Sequence, residues 1–309
     1  MNNKILVTGG AGYLGSILIP KLLDYGYFVT VYDNFMRKVP SLYESVYDQN
    51  LSITRGDIRD FDKLKPLLEK NDIIVHLAAI VGAPACDQDP YSSEEINLGS
   101  TTRIVRTLSK DQQLYFACTN SGYGTGDGML AATEETPLKP ISLYGRTKVA
   151  AESEILDAGG TSLRLATLFG FSPRMRLDLL INDWVYKLLK EHYIMIYQPN
   201  YKRNAVHVRD AADAFLHAIN NDLRGPYNVG LPDANKTKLE LAKIIQLHID
   251  DSIVTTQDYH ADLDQRNFSL DSSKLIRTGY TFSHGLQMGI SELIKGYTML
   301  ENRRFCNVI

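Results

Sequence analysis

"TGGAGYLG", residues 8–15, stands between a short apolar run and an amphipathic stretch near the start of the 309-residue chain. Its glycines Gly9, Gly12 and Gly15 have Gly-x-x-Gly-x-x-Gly spacing. Glycines at a strand-to-helix junction allow a tight turn and let a pyrophosphate approach the backbone at the amino end of the helix. The motif therefore indicates a dinucleotide site, although a plain strand-to-helix turn would also explain these glycines.

The sequence around this motif alternates short β-branched runs with amphipathic stretches. Strands are predicted at residues 4–8, 27–33, 51–54, 72–78, 114–119 and 162–169, and helices at residues 12–25, 60–69 and 90–108. Several of the strand runs are almost wholly apolar, which is typical of parallel strands buried on both faces. The alternation predicts an α/β fold with a doubly wound parallel sheet.

The composition of the sequence changes after Gly170. Proline, arginine and tyrosine become commoner there, and strand-like runs become sparse. Helices are predicted at residues 183–191, 210–220, 238–248 and 285–298. We therefore expect a dinucleotide-binding domain at residues 1–170 and a smaller substrate-binding lobe at residues 171–309, with segments of the two halves free to interleave.

Composition excludes several classes of function. The net charge is -3, without the clustered basic excess that nucleic-acid binding needs. The cysteines Cys86, Cys118 and Cys306 have no Cys-x-x-Cys spacing, which is typical of a reducing compartment, and the histidines show no metal-ligand spacing. The apolar runs are too short for a signal peptide or a bilayer span. The sequence predicts a cytoplasmic protein with no nucleic-acid partner, membrane partner or metal.

Two aspartates follow predicted strands. A carboxylate at Asp33, which closes the second strand, can accept hydrogen bonds from adenosine ribose hydroxyls and would repel a 2'-phosphate. Asp33 therefore favours NAD over NADP, and the nearby Arg37 weakens that preference slightly. Asp57, after the third strand, is a candidate adenine contact, but a role in a turn or helix cap explains it equally well.

"ISLYGRTK" places Tyr144 and Lys148 four residues apart, on one face of a helix. Tyr186 and Lys190 have the same spacing, and a solvated helix face would explain either pair. Thr119 ends the fifth predicted strand, and the carboxyl ends of the strands form the ligand crevice of an open α/β sheet. Thr119 can therefore meet the first pair. The second pair is expected to serve helix surface or packing.

Six motifs occur in the order in which one enzyme family carries them. They are "TGGAGYLG", "HLAA" (76–79), "CTNSGYG" (118–124), "YGRTK" (144–148), "RNAVHVRD" (203–210) and "YNVG" (227–230). Over nearly its whole length the chain resembles the extended short-chain dehydrogenases/reductases, which have a Rossmann fold, in their nucleotide-sugar epimerase/dehydratase branch. "IVGAPAC", "TNSGYG" and "SPRMRLDLLIND" resemble a bacterial surface-polysaccharide subgroup that includes GDP-manno-heptose 4-dehydrogenases and sugar C4 epimerases.

The resemblance implies a role for each catalytic residue. Tyr144 is the general base for a sugar hydroxyl, Lys148 holds the nicotinamide ribose and lowers the tyrosine pKa, and Thr119 hydrogen-bonds the same hydroxyl. An isolated phenol titrates near pH ~10, and neighbouring positive charge favours phenolate. A hydride can then leave the sugar carbon for the cofactor as the proton leaves its oxygen.

The resemblance also implies two sets of binding residues. NAD would contact Gly9, Gly12, Tyr13, Leu14, Gly15, Asp33, Asn34, Asp57, Ile58, Leu77, Ala78, Ala79, Tyr144 and Lys148. The nucleotide sugar would contact Asn120, Ser121, Arg174, Arg176, Asn182, Arg203 and Arg266.

Within the second set, Arg203 and Arg266 would bind the substrate pyrophosphate, with surface salt bridges as the alternative. Asn182 would lie near the nucleotide. For the "SPRMR" arginines, Arg174 and Arg176, an ordinary basic loop is at least as good an explanation. Just downstream of Arg203, His207 is expected to be a structural histidine at a strand end and Asp210 a helix cap.

The position after Thr119 bears on the reaction outcome. Dehydratases of this family carry an aspartate and a glutamate there, whereas this chain has Asn120 and Ser121. Neither side chain titrates near neutral pH, so loss of water from the sugar is not expected. Glu134 or Glu135 could in principle substitute, although nothing in the spacing places them there.

The favoured function is NAD-dependent oxidation at C4 of a nucleotide-activated sugar, with a GDP-heptose-like 4-dehydrogenase as the nearest match. The alternative is a 4-epimerase that holds NAD tightly. A non-catalytic dinucleotide sensor is disfavoured because Thr119, Tyr144 and Lys148 are all present. The resemblance further implies a homodimer formed through residues 90–108 and 142–156.

Overall fold

A seven-stranded parallel sheet lies at the centre of the computed structural model, which describes residues 3–126, 131–257 and 266–300. Its strands are β1 (Lys4–Thr8), β2 (Phe28–Asp33), β3 (Leu51–Arg55), β4 (Ile73–His76), β5 (Gln113–Thr119), β7 (Thr161–Leu165) and β12 (Gly225–Val229). The strand order is β12-β7-β5-β4-β1-β2-β3, so the chain changes direction between β1 and β4. Ligands of open α/β sheets bind at the carboxyl side of such a switch point.

The remaining strands pair in twos outside this sheet. These pairs are β6 (Ala131–Ala132) with β15 (Ser269–Leu270), β8 (Thr167–Phe169) with β11 (Ala205–His207), β9 (Tyr193–Tyr197) with β14 (Ile253–Gln257), and β10 (Lys202–Arg203) with β13 (Lys236–Thr237).

Helices cover both faces of the sheet. They are α1 (Gly15–Asp24), α2 (Phe61–Lys70), α3 (Ala83–Gln88), α4 (Pro90–Glu94), α5 (Ser100–Thr107), α6 (Leu143–Asp157), α7 (Leu180–Glu191), α8 (Val208–Asn220), α9 (Lys238–Gln246), α10 (Ser273–Ile276) and α11 (Leu286–Tyr297). A π-helical turn, Glu95–Gly99, joins α4 to α5. Among the helices described, none is long and apolar enough to cross a bilayer.

The apolar core is divided by the sheet, because successive side chains of a strand point to opposite faces. In β1, Ile5 and Val7 pack into a large cluster shared with the second half of the chain. Leu6 between them packs into a smaller cluster with residues of α2, α5 and α6. Both faces of the sheet are therefore buried, and the predicted doubly wound α/β fold is confirmed.

Two local predictions were wrong in detail. The strand expected at residues 162–169 is two strands: β7 belongs to the central sheet, and β8 leaves it to pair with β11. Asp210 does not cap α8; the N-cap is His207, whose side chain accepts a hydrogen bond from the Arg209 amide. The Asp210 carboxylate instead accepts from the backbone amides of Ser283 and His284.

Tyr186 lies in the interior of α7, where its ring packs edge-on against Tyr297 with the ring centroids 5.6 Å apart. Lys190, one turn later, is exposed. The prediction that this second tyrosine–lysine pair serves helix surface or packing agrees with these positions.

Candidate active site

The glycine turn packs directly against the end of β4. Gly9 has φ +70°, and its amide donates to the carbonyl of Tyr32 over 2.8 Å. A Cβ on Gly9 would lie 2.6 Å from the amide nitrogen of Ala78, and one on Gly15 would lie 2.4 Å from the carbonyl oxygen of Gly10. Any side chain at either position would force these backbones apart. The turn therefore leaves a cradle of backbone at the amino end of α1.

Asp33 lies at the edge of this cradle. Its carboxylate accepts hydrogen bonds from the backbone amides of Ala11 at 3.0 Å and Phe35 at 2.8 Å. Burial raises the pKa of Asp33, while these two hydrogen bonds and the positive charge of Arg174 act in the opposite direction. The Asp33 side chain, which is predicted to bind the adenosine ribose, is thus held against the glycine turn.

Asn34 and Asp57 contact each other next to Asp33. A guanidinium fork from Arg59 binds the Asp57 carboxylate at 2.8 and 2.9 Å, and this pairing lowers the Asp57 pKa to about 2, with Asn34 contributing a further hydrogen bond. Asp57 lies in the turn before α2, whose cap is Asp60. The turn role considered for Asp57 is therefore present, and its carboxylate stays charged.

The other residues predicted to contact NAD lie in the glycine turn or in the segments directly after β3 and β4. Leu14 and Ile58 are buried, Gly12 donates its amide to the carbonyl of Gly9, and Leu77, Ala78 and Ala79 follow β4 in half-buried positions. The Tyr13 hydroxyl donates to the Gly170 carbonyl at 2.6 Å. Tyr13 thus ties the glycine turn to the segment after β8.

Thr119, Tyr144 and Lys148 meet at the carboxyl end of β5. Ser142 caps α6 by accepting from the Gly145 amide at 3.0 Å, so Tyr144 enters in the first turn of the helix. The Thr119 side chain hydrogen-bonds Tyr144. One turn further along, Lys148 is only 2% exposed, and its ammonium lies 3.8 Å from the centroid of the Phe116 ring.

Burial dominates the ionisation of this group. It raises the pKa of Tyr144 to about 12, although the charge of Arg176 and the Thr119 hydrogen bond act to lower it. Burial also lowers the pKa of Lys148 to about 8. In the protein alone, desolvation of the phenolate outweighs the charge of Arg176 and the Thr119 hydrogen bond. That Lys148 and the nicotinamide ring together lower the Tyr144 pKa stays a prediction.

A second group of polar side chains begins at Asn120, the residue directly after Thr119. Arg266 donates to the side-chain oxygen Oδ1 of Asn120 at 2.8 Å, and the side-chain amide of Asn120 donates to Oδ1 of Asn204. Arg203, which is 3% exposed, donates to the main-chain oxygen of Arg266. Together with Thr167, Lys202 and Phe268 they line a narrow cleft. The two arginines predicted to bind a pyrophosphate are therefore neighbours.

Two other residues predicted to bind the substrate, Ser121 and Asn182, have different surroundings. The backbone amide of Ser121 donates to the Thr119 hydroxyl at 3.1 Å, which places Ser121 beside a predicted catalytic residue. Asn182 is fully buried, with its amide bound to the Gly170 amide, the Tyr13 hydroxyl and the Arg176 carbonyl. Its side chain thus joins protein segments to one another, and this arrangement does not offer it to a nucleotide.

The "SPRMR" segment is not an exposed basic loop. Arg174 and Arg176 are 6% and 8% exposed. The Ser172 hydroxyl anchors the segment by donating to the Tyr13 carbonyl at 2.8 Å. The positive charge of Arg174 acts to lower the pKa of Asp33. The positive charge of Arg176 acts to lower the pKa of Tyr144.

Two buried features were not anticipated from the sequence. Asn97, in the π-helical turn, binds both the amide and the carbonyl of Ile80 and reaches Thr147 on α6. Glu152 pairs with Arg164 at 2.9 Å, and both side chains are at most 5% exposed. Glu152 lies one turn after Lys148, so its helical spacing was an available signal.

A family model described as "NAD dependent epimerase/dehydratase family" matches residues 5–230, well over half of the chain. The chain belongs to this family. The resemblance to the nucleotide-sugar epimerase/dehydratase branch is thereby confirmed.

Curated relatives of this epimerase/dehydratase family member are nucleotide-sugar enzymes. UDP-glucuronic acid decarboxylase 1 of Arabidopsis thaliana is 29% identical over 263 residues, which are 81% of this chain and 59% of that protein. The chain thus spans well under two thirds of that relative's length. The bifunctional UDP-glucose 4-epimerase and UDP-xylose 4-epimerase 1 of Pisum sativum is 31% identical over 167 residues, or 50% of this chain and 47% of that protein.

Solved structures share the fold of this family member over almost its whole length. UDP-glucuronic acid 4-epimerase of Bacillus cereus, in complex with UDP-glucuronic acid and NAD, superposes with a TM-score of 0.84 at 22% identity, covering 96% of this chain and 100% of that one. UDP-glucose 4-epimerase of Thermus thermophilus, in complex with NAD, gives 0.80 at 25% identity, with coverage of 96% and 100%.

Proposed function

We propose that this protein uses NAD to oxidise C4 of a nucleotide-activated sugar. The observation that carries the proposal is the meeting of Thr119, Tyr144 and Lys148 at the carboxyl end of β5, beside the switch point of the sheet. A strand-end hydroxyl, a phenol and a buried ammonium form a set that can take a proton from a sugar hydroxyl.

The residues around the glycine turn fit NAD. The glycine turn keeps its backbone amides uncovered by side chains at the amino end of α1, where a pyrophosphate can approach, and the Asp33 carboxylate suits ribose hydroxyls while disfavouring a 2'-phosphate. The solved relatives that carry NAD support the same choice. When bound, NAD supplies the acceptor for the hydride of C4.

The chain's own residues handle the proton and the substrate. Tyr144 takes the proton of the C4 hydroxyl, Thr119 orients that hydroxyl, and Lys148 holds the nicotinamide ribose. Because burial raises the Tyr144 pKa to about 12, deprotonation depends on the nearby positive charge of Arg176 and of the cofactor ring. Arg203 and Arg266 hold the substrate pyrophosphate, since guanidinium groups match phosphate geometry.

Two outcomes of this oxidation belong to the proposal. A GDP-heptose-like 4-dehydrogenase of bacterial surface-polysaccharide synthesis would release the 4-keto sugar with NADH. A 4-epimerase would return the hydride to the other face, and the similarity to the Pisum sativum 4-epimerase supports this second outcome. Loss of water is not expected from either, because Asn120 and Ser121 cannot supply the acid–base pair. Glu134 is already bound to the Asn228 amide.

Native mass spectrometry, followed by incubation with a panel of nucleotide sugars, tests the proposal. We expect the mass of NAD or NADH on the purified protein. The sugar product should be either two hydrogens lighter, with NADH formed, or an isomer of unchanged mass. A product lighter by one water would indicate a dehydratase instead. An unchanged substrate, with every nucleotide sugar in the panel, would contradict the proposed reaction.

The proposal also covers the two domains, the oligomeric state and the location of the protein. Residues 1–170 would carry NAD and residues 171–309 the nucleotide sugar, with β12 of the second half completing the central sheet. A homodimer through residues 90–108 and 142–156 and a cytoplasmic location complete the proposal. Light scattering on the purified protein measures the assembly size, and a monomer would contradict the dimer.

A further inference from the structure

Asn120 directly follows the last residue of β5, which is the proposed catalytic Thr119. Asn120 is only 2% exposed, and both polar atoms of its side chain are bonded. Its Oδ1 accepts from Nη1 of Arg266 at 2.8 Å, and its Nδ2 donates to Oδ1 of Asn204. A buried amide that uses both its oxygen and its nitrogen is held in one orientation. Asn120 therefore has a fixed place in the wall of the cleft that Arg266 lines.

The two partners of Asn120 also connect it to the second arginine of the cleft. Asn204 directly follows Arg203 in the chain, and its side-chain amide donates to the main-chain carbonyl of Phe268 at 3.3 Å. Nη1 of Arg203 donates to the main-chain carbonyl of Arg266. Asn120 thus joins the end of β5 to both of the segments that carry the two arginines.

The amide of Asn120 differs in charge from the carboxylate of an aspartate, which has the same shape. Its oxygen accepts a hydrogen bond from the Arg266 guanidinium and brings no negative charge. A pyrophosphate that enters the cleft is an anion, and a guanidinium binds it best in a fixed, forked geometry. A carboxylate at position 120 would repel the phosphates and compete with them for Arg266. An uncharged acceptor can therefore orient Arg266 without opposing the ligand.

We propose that Asn120 is a positioning residue that orients Arg266 for the pyrophosphate of the substrate. The inference rests on the proposed function, because it assumes that Arg266 binds the pyrophosphate of a nucleotide sugar. It gives Asn120 a role in substrate binding, and it requires that Asn120 act through Arg266. Since Thr119 is the adjacent residue, the same contact links the pyrophosphate end of the substrate to the end that reacts.

Calorimetric titration of the NAD-bound protein with UDP, GDP, dTDP and CDP tests this role. We expect the wild type to bind at least one of these nucleotides, and the one bound most tightly is used for every variant. Asn120→Ala removes the acceptor and should weaken nucleotide binding by about threefold or more. Asn120→Asp keeps the shape of the side chain and should weaken binding by about tenfold or more, because its charge opposes the phosphates. The Kd for NAD, measured separately, should stay near the wild-type value in both variants.

A double-mutant cycle with Arg266 distinguishes this role from a purely structural one. In the Arg266→Ala background, Asn120→Ala should cause no further loss of nucleotide affinity, because the side chain that Asn120 orients is gone. A structural role would weaken binding equally in both backgrounds. Asn71→Ala is the matched control, since Asn71 is also buried, at 5% exposure, and its side-chain amide donates to the Leu67 carbonyl of α2. This variant should keep the wild-type affinity for the nucleotide.

Equal losses for Asn120→Ala in the two backgrounds would overturn the inference while leaving the proposed function intact. Unchanged nucleotide affinity in folded Asn120→Asp would do the same, and this variant of unchanged shape provides the test if Asn120→Ala fails to fold. If the wild type binds NAD but none of the four nucleotides, the proposed function itself fails, and this inference fails with it.

Discussion

Tyr144 and Tyr186 show at the level of single residues how position decides chemistry. Both precede a lysine by four residues on a helix. Tyr144 reaches the hydroxyl of Thr119 at a strand end, whereas Tyr186 packs against Tyr297 in the apolar interior. The same local spacing therefore belongs to a proposed catalytic group in one helix and to core packing in the other.

This difference predicts opposite results for one substitution. Tyr144→Phe removes the ionisable oxygen and keeps the ring, so the protein should fold while hydride transfer falls by about 10²-fold or more. Tyr186→Phe, the matched control, should keep near-normal turnover. Single-turnover measurement of NADH absorbance compares them, and equal losses in the two variants would refute the role of Tyr144.

Lys148 makes stability depend on pH. Its pKa falls from 10.5 to about 8 on folding because the ammonium is buried. The unfolded chain therefore binds the proton more tightly, and the contribution of Lys148 to stability increases as pH rises from about 8 to about 10.5 and is lost as pH falls back through 8. Across that window the change is on the order of 3 kcal/mol.

Denaturant titrations at several alkaline pH values measure this effect. The stability of the wild type relative to Lys148→Met should grow as pH rises within the window. The exposed Lys190→Met is the control, and its difference from the wild type should not vary with pH. A difference for Lys148→Met that is constant with pH would show that the ammonium keeps its ordinary pKa.

At the scale of the element, α6 carries two proposed catalytic side chains and one buried structural carboxylate on one face, at successive turns. Tyr144 and Lys148 face the crevice, and Glu152 reaches β7, where it binds both Ser162 and Arg164. Arg164 continues to the Tyr123 hydroxyl at 2.9 Å, in the segment after Thr119. A buried network thus sets the position of the helix relative to the strand end.

Removing one charge of this network should be costly. Glu152→Gln leaves the Arg164 guanidinium buried without its counter-charge, and we expect a loss of about 3 kcal/mol or more in the free energy of unfolding. Glu69→Gln breaks an exposed pair with Lys65 at 3.8 Å and should change stability by less than about 1 kcal/mol. Chemical denaturation measures both, and a similar small loss in each would contradict the structural role of the network.

At the scale of the whole molecule, the proposed pyrophosphate site combines distant parts of the chain. Arg203 comes from β10, Arg266 from the segment before β15, and Asn120 from the end of β5. The central sheet supplies one of these groups and the second half supplies the other two. Substrate affinity should therefore depend on how the two halves pack together.

Substitution of either arginine tests this assembly. Arg203→Ala and Arg266→Ala should each weaken binding of the nucleotide sugar, because a charge-assisted phosphate contact contributes about 1.5–3 kcal/mol. The Kd for NAD should change far less. Arg224→Ala, at an exposed pair with Asp222, is the control. Normal binding of nucleotide sugar by both variants in calorimetry would exclude the proposed site.

Local sequence determined the features of this protein that depend on short-range geometry. Alternating apolar runs predicted the parallel sheet, and glycine spacing predicted the turn where a Cβ has no room. Helical periodicity placed Tyr144 and Lys148 on one face. These features follow from the repeats of strand and helix, which extend over a few residues.

Tertiary structure alone decided what depends on distant partners. The chain leaves the sheet after Ala166 because Thr167 bonds to Asn204, which splits the predicted strand. Arg176 is buried in a segment that Ser172 anchors to the Tyr13 carbonyl of the glycine turn. The raised pKa of Tyr144 likewise arises from burial by several segments. Burial and charge pairing are set by long-range packing, which no local pattern of residues encodes.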